Sequence, residues 1–176
     1  VYKDQFSKLM DLTPESGELI YCEVDPLVKT AAEKSSNQGQ KTPYRAHPSE
    51  IKDGKTFLKT DSGLFEIGIF GDHNLQNLKG AMEICRALGV TSKQFYASIP
   101  SFKGAAKRQE VLATGKSGIF FRDFAHAPSK LKATVNAVKN QFPERRLIAV
   151  QELHTYSSLN KQFLPNYADT MKETDV

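Results

Sequence analysis

The sequence has few cysteines and no long apolar run, and both absences narrow the kind of protein it encodes. Its two cysteines, Cys22 and Cys85, do not form a C-x-x-C pair, so we expect no zinc site. They are interpreted as two buried, reduced thiols of a cytoplasmic protein. No apolar run approaches the roughly 18 residues that a membrane span needs, so no membrane association is expected.

The chain also lacks a concentrated basic surface. Its net charge is +4, and its densest basic sites are two pairs, Lys107-Arg108 and Arg145-Arg146. A nucleic-acid-binding protein usually gathers its basic residues on one face. Interspersed charges of both signs therefore predict that nucleic acid is not a partner.

A phosphate-binding loop is missing as well. The tripeptide Gly115-Lys116-Ser117 resembles the end of such a loop, but the full motif needs a glycine where Glu110 stands. The tripeptide also precedes a strand-like run, whereas a true phosphate-binding loop follows a strand and opens a helix. We interpret it as a turn.

The apolar pattern that remains predicts an α/β fold. Helices are predicted over residues 3–12, 26–34, 74–88, 92–97, 128–141 and 161–172. Strands are predicted over residues 18–22, 55–60, 64–70, 109–113, 118–122 and 147–151. Residues 35–42 are interpreted as a polar loop and residues 100–104 as a linker. The helix–strand–helix order at the start favours a parallel sheet.

Two of these elements have especially clear patterns. Between Leu75 and Leu88, apolar residues recur every three or four positions, and Gly89 follows as a helix stop. Residues 147–151 (LIAVQ) are predicted to form a buried strand. In addition, Asp61-Ser62-Gly63 separates two strand-like runs and predicts a hairpin.

One group of candidate binding residues stands where an apolar strand passes into the long helix. His73, Asn74 and Asn77 all lie at the start of that helix, where free N–H groups and the helix dipole favour an anion. Asn74 and Asn77 are three residues apart, so both can face one side. Their amides could pair with an adenine edge. The alternative is an ordinary helix cap.

Three further groups follow the linker. Asp123, His126 and Ser129 lie between a strand and a proline-started helix, where α/β proteins often bind ligands. Lys107-Arg108 could clamp a phosphate. His154 and Tyr156 follow the predicted strand 147–151 and could line a polar pocket. For the first two groups the alternative is a set of solvated surface residues, and the spacing of the third group fits no specific catalytic pattern.

Four segments, taken in order, resemble the Mur ligase family. GDHNLQNLKGAMEICRALG is similar to the family's G-x-H-N-x-x-N helix, and FKGAAKRQEV is similar to the start of its carboxy-terminal domain. DFAHAPSKLKATVNAVK resembles its D-[DFY]-A-H-x-P segment, and ELHTYSSLNKQF its H-x-[YF]-[ST] segment. The match runs over about residues 66–165.

The resemblance implies a division into two domains. Residues 1–98 would be the carboxy-terminal portion of a central P-loop-type ATPase domain, without the loop itself. Residues 99–176 would be the first portion of a Rossmann-like carboxy-terminal domain. The family's phosphate loop, its magnesium ligands and its UDP-sugar domain are expected upstream of Val1. We therefore expect the 176-residue chain to be inactive without the segments that complete its domains.

The resemblance also assigns roles to matching residues. Asn74 and Asn77, with His73 beside them, would approach the adenine. Arg108 would reach an ATP phosphate, and Asp123 would hold the ribose; these two are the predicted catalytic residues. His126 would lie near the incoming amine. Substrate contacts are expected from His126, Ser129, His154 and Tyr156.

The implied reaction uses ATP and Mg²⁺ to phosphorylate the carboxylate of UDP-N-acetylmuramate. An amine then attacks the acyl phosphate and forms an amide. DFAHAP and ELHTYSS favour a tripeptide, L-alanyl-γ-D-glutamyl-meso-diaminopimelate, as that amine, and L-alanine is the alternative. The sequence departs from both kinds of ligase at two positions. Ala127 stands where both usually have a second His, and Arg122 stands where an Asp often precedes Asp123.

Two hypotheses of other classes remain open. The chain could be a nucleotide-binding α/β module without catalysis. It could also be a metal-dependent hydrolase that uses His73, Asp123, His126 and His154, which would require these four side chains to converge.

Overall fold

The computed structural model describes residues 2–176, which form two compact units. Unit 1 contains the residues up to Pro48 and residues 73–99, and unit 2 contains residues 49–72 and 100–176. The predicted α/β class is confirmed, since both units combine helices with strands. The predicted domain division between residues 98 and 99 stays a prediction.

The helices and strands are as follows, in chain order: α1 (Tyr2–Asp11), β1 (Glu18–Cys22), α2 (Pro26–Lys34), β2 (Gln40–Tyr44), β3 (Ser49–Lys52), β4 (Lys55–Thr60), β5 (Gly63–Ile67), α3 (Asp72–Ala87), α4 (Ser92–Ser98), β6 (Glu110–Thr114), β7 (Ile119–Arg122) and α5 (Pro128–Gln141). Short 3₁₀ helices cover Ile99–Ser101 and Leu164–Tyr167. None of the helices within residues 2–176 has the length and apolar character needed to cross a membrane.

Unit 1 is built around a short parallel sheet. Strands β1 and β2 pair from Glu18 opposite Gln40 to Cys22 opposite Tyr44, so the expected parallel sheet is confirmed for these two strands. A buried cluster of Met10, Tyr21 and Ala32 joins α1, β1 and α2. The start of α2 follows from its sequence, because Asp25 accepts N–H bonds at the helix cap and Pro26 occupies the first turn.

Strand β2 corrects the prediction of a loop over residues 35–42. The loop ends before Gln40, where pairing with β1 begins. The buried Asn37 accepts a hydrogen bond from the Gly39 N–H and donates one to the Thr13 carbonyl, and so fixes the path into the strand. A side chain at Gly39 would meet two backbone oxygens at 2.8 Å. Lys41 and Pro43 are disfavoured in strands, so the pairing with β1 decides the conformation of this segment.

Unit 2 begins with the three-stranded antiparallel sheet β3-β4-β5. The predicted hairpin is confirmed as β4–β5, although its second strand ends at Ile67 and not at residue 70. Strand β3 was not predicted, but a signal for it exists. Asp53-Gly54 forms a two-residue turn with φ values of 50° and 70°, and Asp-Gly is a strong hairpin signal.

The interior of unit 2 joins this sheet to α5. Leu58 is completely buried, and the buried Thr56 hydroxyl donates to the Gln141 amide oxygen at 3.0 Å. The Gln141 amide nitrogen donates to the Gly54 carbonyl at 2.7 Å. Leu131 and Val135 of α5 are buried with Ala125.

The predicted strand 147–151 is wrong. These residues form no strand, and Ile148 and Val150 are 60% and 93% exposed. Backbone hydrogen bonds link Leu147 and Ala149 of this segment to Asp175 and Val176. An apolar run indicates a preference for burial, but a strand also needs a neighbouring strand with free N–H and C=O groups.

Three smaller expectations also fail. The predicted helix 161–172 is reduced to a 3₁₀ turn over Leu164–Tyr167, because Pro165 cannot donate a backbone bond and Asp169 has a positive φ of 59°. Leu88 is 78% exposed although it continues the apolar face of α3. Cys22 and Cys85 are free thiols, but they are half-buried and not fully buried.

Candidate functional site

The predicted adenine-binding residues lie at the start of α3. His73 and Asn74 are half-buried there, and Asn77 is exposed. The helix begins at Asp72, one residue after Gly71, whose φ of 87° turns the chain into the helix. The three-residue spacing puts both asparagines on the same side of the first turns.

Behind this turn, within unit 1, is a buried histidine that the sequence did not single out. The His47 N–H donates to the Leu75 carbonyl at 3.2 Å, and its Nδ1 donates to the Pro48 carbonyl at 2.8 Å. Its Nε2 lies 2.7 Å from the Tyr96 hydroxyl and therefore accepts from it in the neutral ring. His47 thus connects the segment after β2 with α3 and α4.

We expect His47 to make the stability of the protein pH-dependent. Burial lowers the pKa of His47 from its ordinary value of 6.5, so the folded protein holds the neutral ring. In the unfolded chain the ring is free to take up a proton. The contribution of His47 to the free energy of unfolding is therefore fully present above pH 6.5 and is lost as the pH falls from 6.5 through the lowered pKa. Urea unfolding measured above and below this pH should show the loss in the wild type.

The His47→Gln variant should show a smaller loss over the same range, because glutamine keeps hydrogen-bonding groups and does not titrate. His154→Gln, which replaces an exposed histidine, serves as the control and should retain the wild-type pH dependence. Equal pH dependence of the wild type and His47→Gln would contradict this explanation.

In unit 2, the predicted Arg108 and Asp123 stand at the open end of the hairpin β6–β7. The strands pair with Glu110 opposite Arg122, so the residues that precede β6 lie beside those that follow β7. The Gln109 N–H donates to the Asp123 carboxylate at 2.8 Å. The Phe124 N–H donates to the Lys107 carbonyl at 2.9 Å. The backbone on either side of Arg108 is therefore fixed beside Asp123.

The turn that carries Arg108 has an unusual backbone. Lys107 and Gln109, on either side of it, have positive φ values of 58° and 44°. The Arg108 N–H donates to the Ala105 carbonyl at 3.1 Å and closes the turn. Residues other than glycine rarely adopt positive φ, and such residues are often found at functional sites.

Three of the predicted site residues lie around the exposed ring of Phe124. The Arg108 guanidinium carbon lies 5.9 Å from the centre of the Phe124 ring. The His126 and His154 rings lie 5.0 and 5.7 Å from the same ring, centre to centre. The Tyr167 hydroxyl donates to the His126 carbonyl and fixes that segment. Phe124 was not predicted, although it lies inside the DFAHAP segment.

Two further predicted substrate-binding residues lie on the exposed surface. Ser129 is exposed in the first turn of α5, and Tyr156 is 92% exposed. The turn over Thr155 to Ser158 is closed by its own side chains, because the Thr155 N–H and hydroxyl both bond to the buried Ser158 hydroxyl. Substrate contacts of Ser129 and Tyr156 stay a prediction.

The other end of the hairpin holds Gly115-Lys116-Ser117. The Gly115 N–H donates to the Gly118 carbonyl at 2.8 Å, which closes the turn between β6 and β7. The segment does not open a helix, so its interpretation as a turn is confirmed. Across residues 2–176, no three His, Cys, Asp or Glu side chains are grouped to hold a metal ion. The metal-dependent hydrolase hypothesis therefore receives no support.

Comparison with known proteins gives a consistent set of relatives. No family model matches the chain. It is 27% identical over 184 residues to UDP-N-acetylmuramate–L-alanine ligase of Aquifex aeolicus, a match that covers 98% of the chain and 40% of that protein. The structure of UDP-N-acetylmuramate–alanine ligase from Thermotoga maritima has a TM-score of 0.71 and 14% sequence identity. The match covers 99% of this chain and 39% of the Thermotoga chain. An FPGS–AMPPCP–folate complex has a TM-score of 0.73 and 10% sequence identity. The match covers all of this chain and 45% of the FPGS chain.

These relatives define a class of ligases, and the structural matches show that the chain shares their fold. Within that class, the sequence similarity relates the chain to the Mur ligase family. The chain spans about 40% of the length of the curated relatives it matches. These curated relatives are named as L-alanine ligases, whereas the DFAHAP and ELHTYSS segments predicted a tripeptide as the amine.

Proposed function

We propose that this chain is part of an ATP-dependent ligase that joins an amine to the carboxylate of UDP-N-acetylmuramate. One observation carries the proposal. At the open end of the hairpin β6–β7, the turn that carries Arg108 is bonded to the segment of Asp123: the Gln109 N–H donates to the Asp123 carboxylate, and the Phe124 N–H donates to the Lys107 carbonyl. A cation for phosphate and an acceptor for ribose hydroxyls are the groups that a nucleotide requires.

Two groups of predicted residues would contact the nucleotide. In unit 1, the amides of Asn74 and Asn77 would both donate to and accept from an adenine edge. In unit 2, Arg108 would contact phosphate oxygens. Asp123 already accepts the Gln109 N–H on one oxygen, and its carboxylate retains acceptor capacity for ribose hydroxyls. The complex of an FPGS with AMPPCP, an ATP analogue, supports a nucleotide role for this fold.

The proposed chemistry has two steps. A carboxylate oxygen of the muramate attacks the γ-phosphorus of ATP, and ADP leaves. The amine nitrogen then attacks the acyl carbon, inorganic phosphate leaves, and the nitrogen loses a proton. Arg108 would neutralise charge on the phosphate, and the His126–Phe124–His154 cluster would position the amine. Residues 2–176 offer no cluster of Mg²⁺ ligands, so no step is assigned to that ion.

L-Alanine is the proposed amine, because the curated relatives are named as L-alanine ligases. A tripeptide is the second candidate, and the DFAHAP and ELHTYSS segments favour it. In both cases the other substrate is UDP-N-acetylmuramate. A cytoplasmic location remains part of the proposal.

The test is an amine panel with the full-length protein that carries this sequence. ADP release should require UDP-N-acetylmuramate together with L-alanine, and mass spectrometry should find the amide product. Turnover with the tripeptide and not with L-alanine would establish the second candidate instead. Nucleotide binding without any amine-dependent turnover would contradict the ligase proposal and favour a non-catalytic module.

A further inference from the structure

We propose that Glu110 and Arg122 are positioning residues that hold the Arg108 turn in its binding conformation before any nucleotide arrives. The proposal rests on the proposed function, since it concerns how the phosphate-contacting arginine is placed. Neither residue was a candidate from the sequence, and neither would touch the substrates.

Three donors converge on one oxygen of the Glu110 carboxylate. Its Oε2 accepts the Lys107 N–H at 2.8 Å. It also accepts Nη2 and Nε of Arg122, at 2.9 and 3.3 Å. The Lys107 N–H and, after it, the Arg122 guanidinium hold the pKa of Glu110 below its ordinary value. The carboxylate therefore stays charged, and charged acceptors form the stronger hydrogen bonds.

The backbone conformation explains what this oxygen is needed for. Lys107 and Gln109 both have a positive φ, which is unfavourable for residues other than glycine. Strained residues persist only where surrounding contacts hold them. Glu110 holds the N–H of Lys107, and Asp123 holds the N–H of Gln109. Each of the two strained residues thus donates its N–H to a carboxylate, and Arg108 lies between these two residues in the sequence.

The cross-strand pair determines where the Glu110 side chain can be. Glu110 and Arg122 are directly opposite in the β6–β7 register, which brings their side chains together on one face of the hairpin. Arg122 therefore keeps the Glu110 carboxylate beside the backbone of Lys107. Without this pair, a half-exposed glutamate would sample other rotamers, and Arg108 would have to be ordered when nucleotide binds.

The experiment measures kcat/KM for ATP in the full-length protein. Glu110→Ala should lower it about tenfold, the effect expected for losing a hydrogen bond to a charged group. Glu110→Gln should lower it less, because an amide oxygen can still accept the Lys107 N–H. Arg122→Met should also lower it, by loosening Glu110. Glu66→Ala is the matched control, since it removes another cross-strand ion pair of unit 2, with Lys55 at 3.0 Å.

A double-mutant cycle separates positioning of Arg108 from a general structural role. In an Arg108→Ala background, Glu110→Ala should cause no further loss in kcat/KM for ATP, because the residue through which it acts is gone. An undiminished loss in that background would overturn the proposal, and so would wild-type kinetics of Glu110→Ala. If Arg108→Ala itself leaves the ATP kinetics unchanged, the role of Arg108 in the proposed function fails, and this inference fails with it.

Discussion

Asp123→Ala is expected to lower kcat/KM for ATP about a hundredfold in the full-length protein, the largest kinetic effect predicted for this chain. Two losses combine in this variant. One is the proposed contact to the ribose, and the other is the acceptor for the Gln109 N–H at 2.8 Å. The second loss frees one side of the strained turn that carries Arg108.

Asp123→Asn separates these two losses. Its amide oxygen can still accept the Gln109 N–H, but it no longer offers a charged carboxylate to the ribose hydroxyls. Its kcat/KM for ATP should therefore lie between those of the alanine variant and the wild type. Asp61→Ala, in the exposed turn between β4 and β5, is the control and should leave kcat/KM unchanged. Wild-type kinetics of Asp123→Ala would show that the residue does not hold the nucleotide.

Leu58→Ala is expected to cause the largest loss of stability, about 2–5 kcal/mol in the free energy of unfolding. Leu58 is completely buried in β4, the central strand of the β3-β4-β5 sheet. Truncation removes the transfer free energy of three carbons and leaves a cavity that the sheet cannot fully close. Urea unfolding followed by circular dichroism measures the change.

Leu64→Ala is the matched control for this measurement. Leu64 lies on the adjacent strand β5 and is 46% exposed, so its truncation removes less buried surface and should cost much less. Losses of equal size in the two variants would mean that the β3-β4-β5 sheet does not contribute the core described for unit 2.

The elements that sequence reasoning located well are those with a strong local signal. The apolar repeat of α3, the proline-started helices α2 and α5, and the β4–β5 hairpin around Asp61-Ser62-Gly63 all follow short-range rules. The failures involve partners distant in the chain. Strand β2 pairs with β1, which is 22 residues away in the register. Residues 147–151 pair with no strand, and the backbone of Leu147 and Ala149 bonds to Asp175 and Val176 instead.

The candidate site divides in the same way. Asn74, Asn77, Arg108, Asp123 and His126 could be selected from their positions next to strands and helices and from the family resemblance. His47, Phe124, Glu110 and Arg122 could not. Their importance depends on contacts between distant parts of the chain, such as the hydrogen bond between His47 and Tyr96, which are 49 residues apart.

The sequence by itself determined the α/β class, most of the helices, the absence of a phosphate-binding loop and the resemblance to the Mur ligases. These properties are local, because helix periodicity, turn chemistry and motif order act over a few residues. Only the tertiary structure decided that the turn carrying Arg108 lies beside Asp123 and that the Glu110 carboxylate accepts the Lys107 N–H of that turn. Both depend on the β6–β7 register, which places Glu110 opposite Arg122, and register is set by pairing between strands and not by either strand alone.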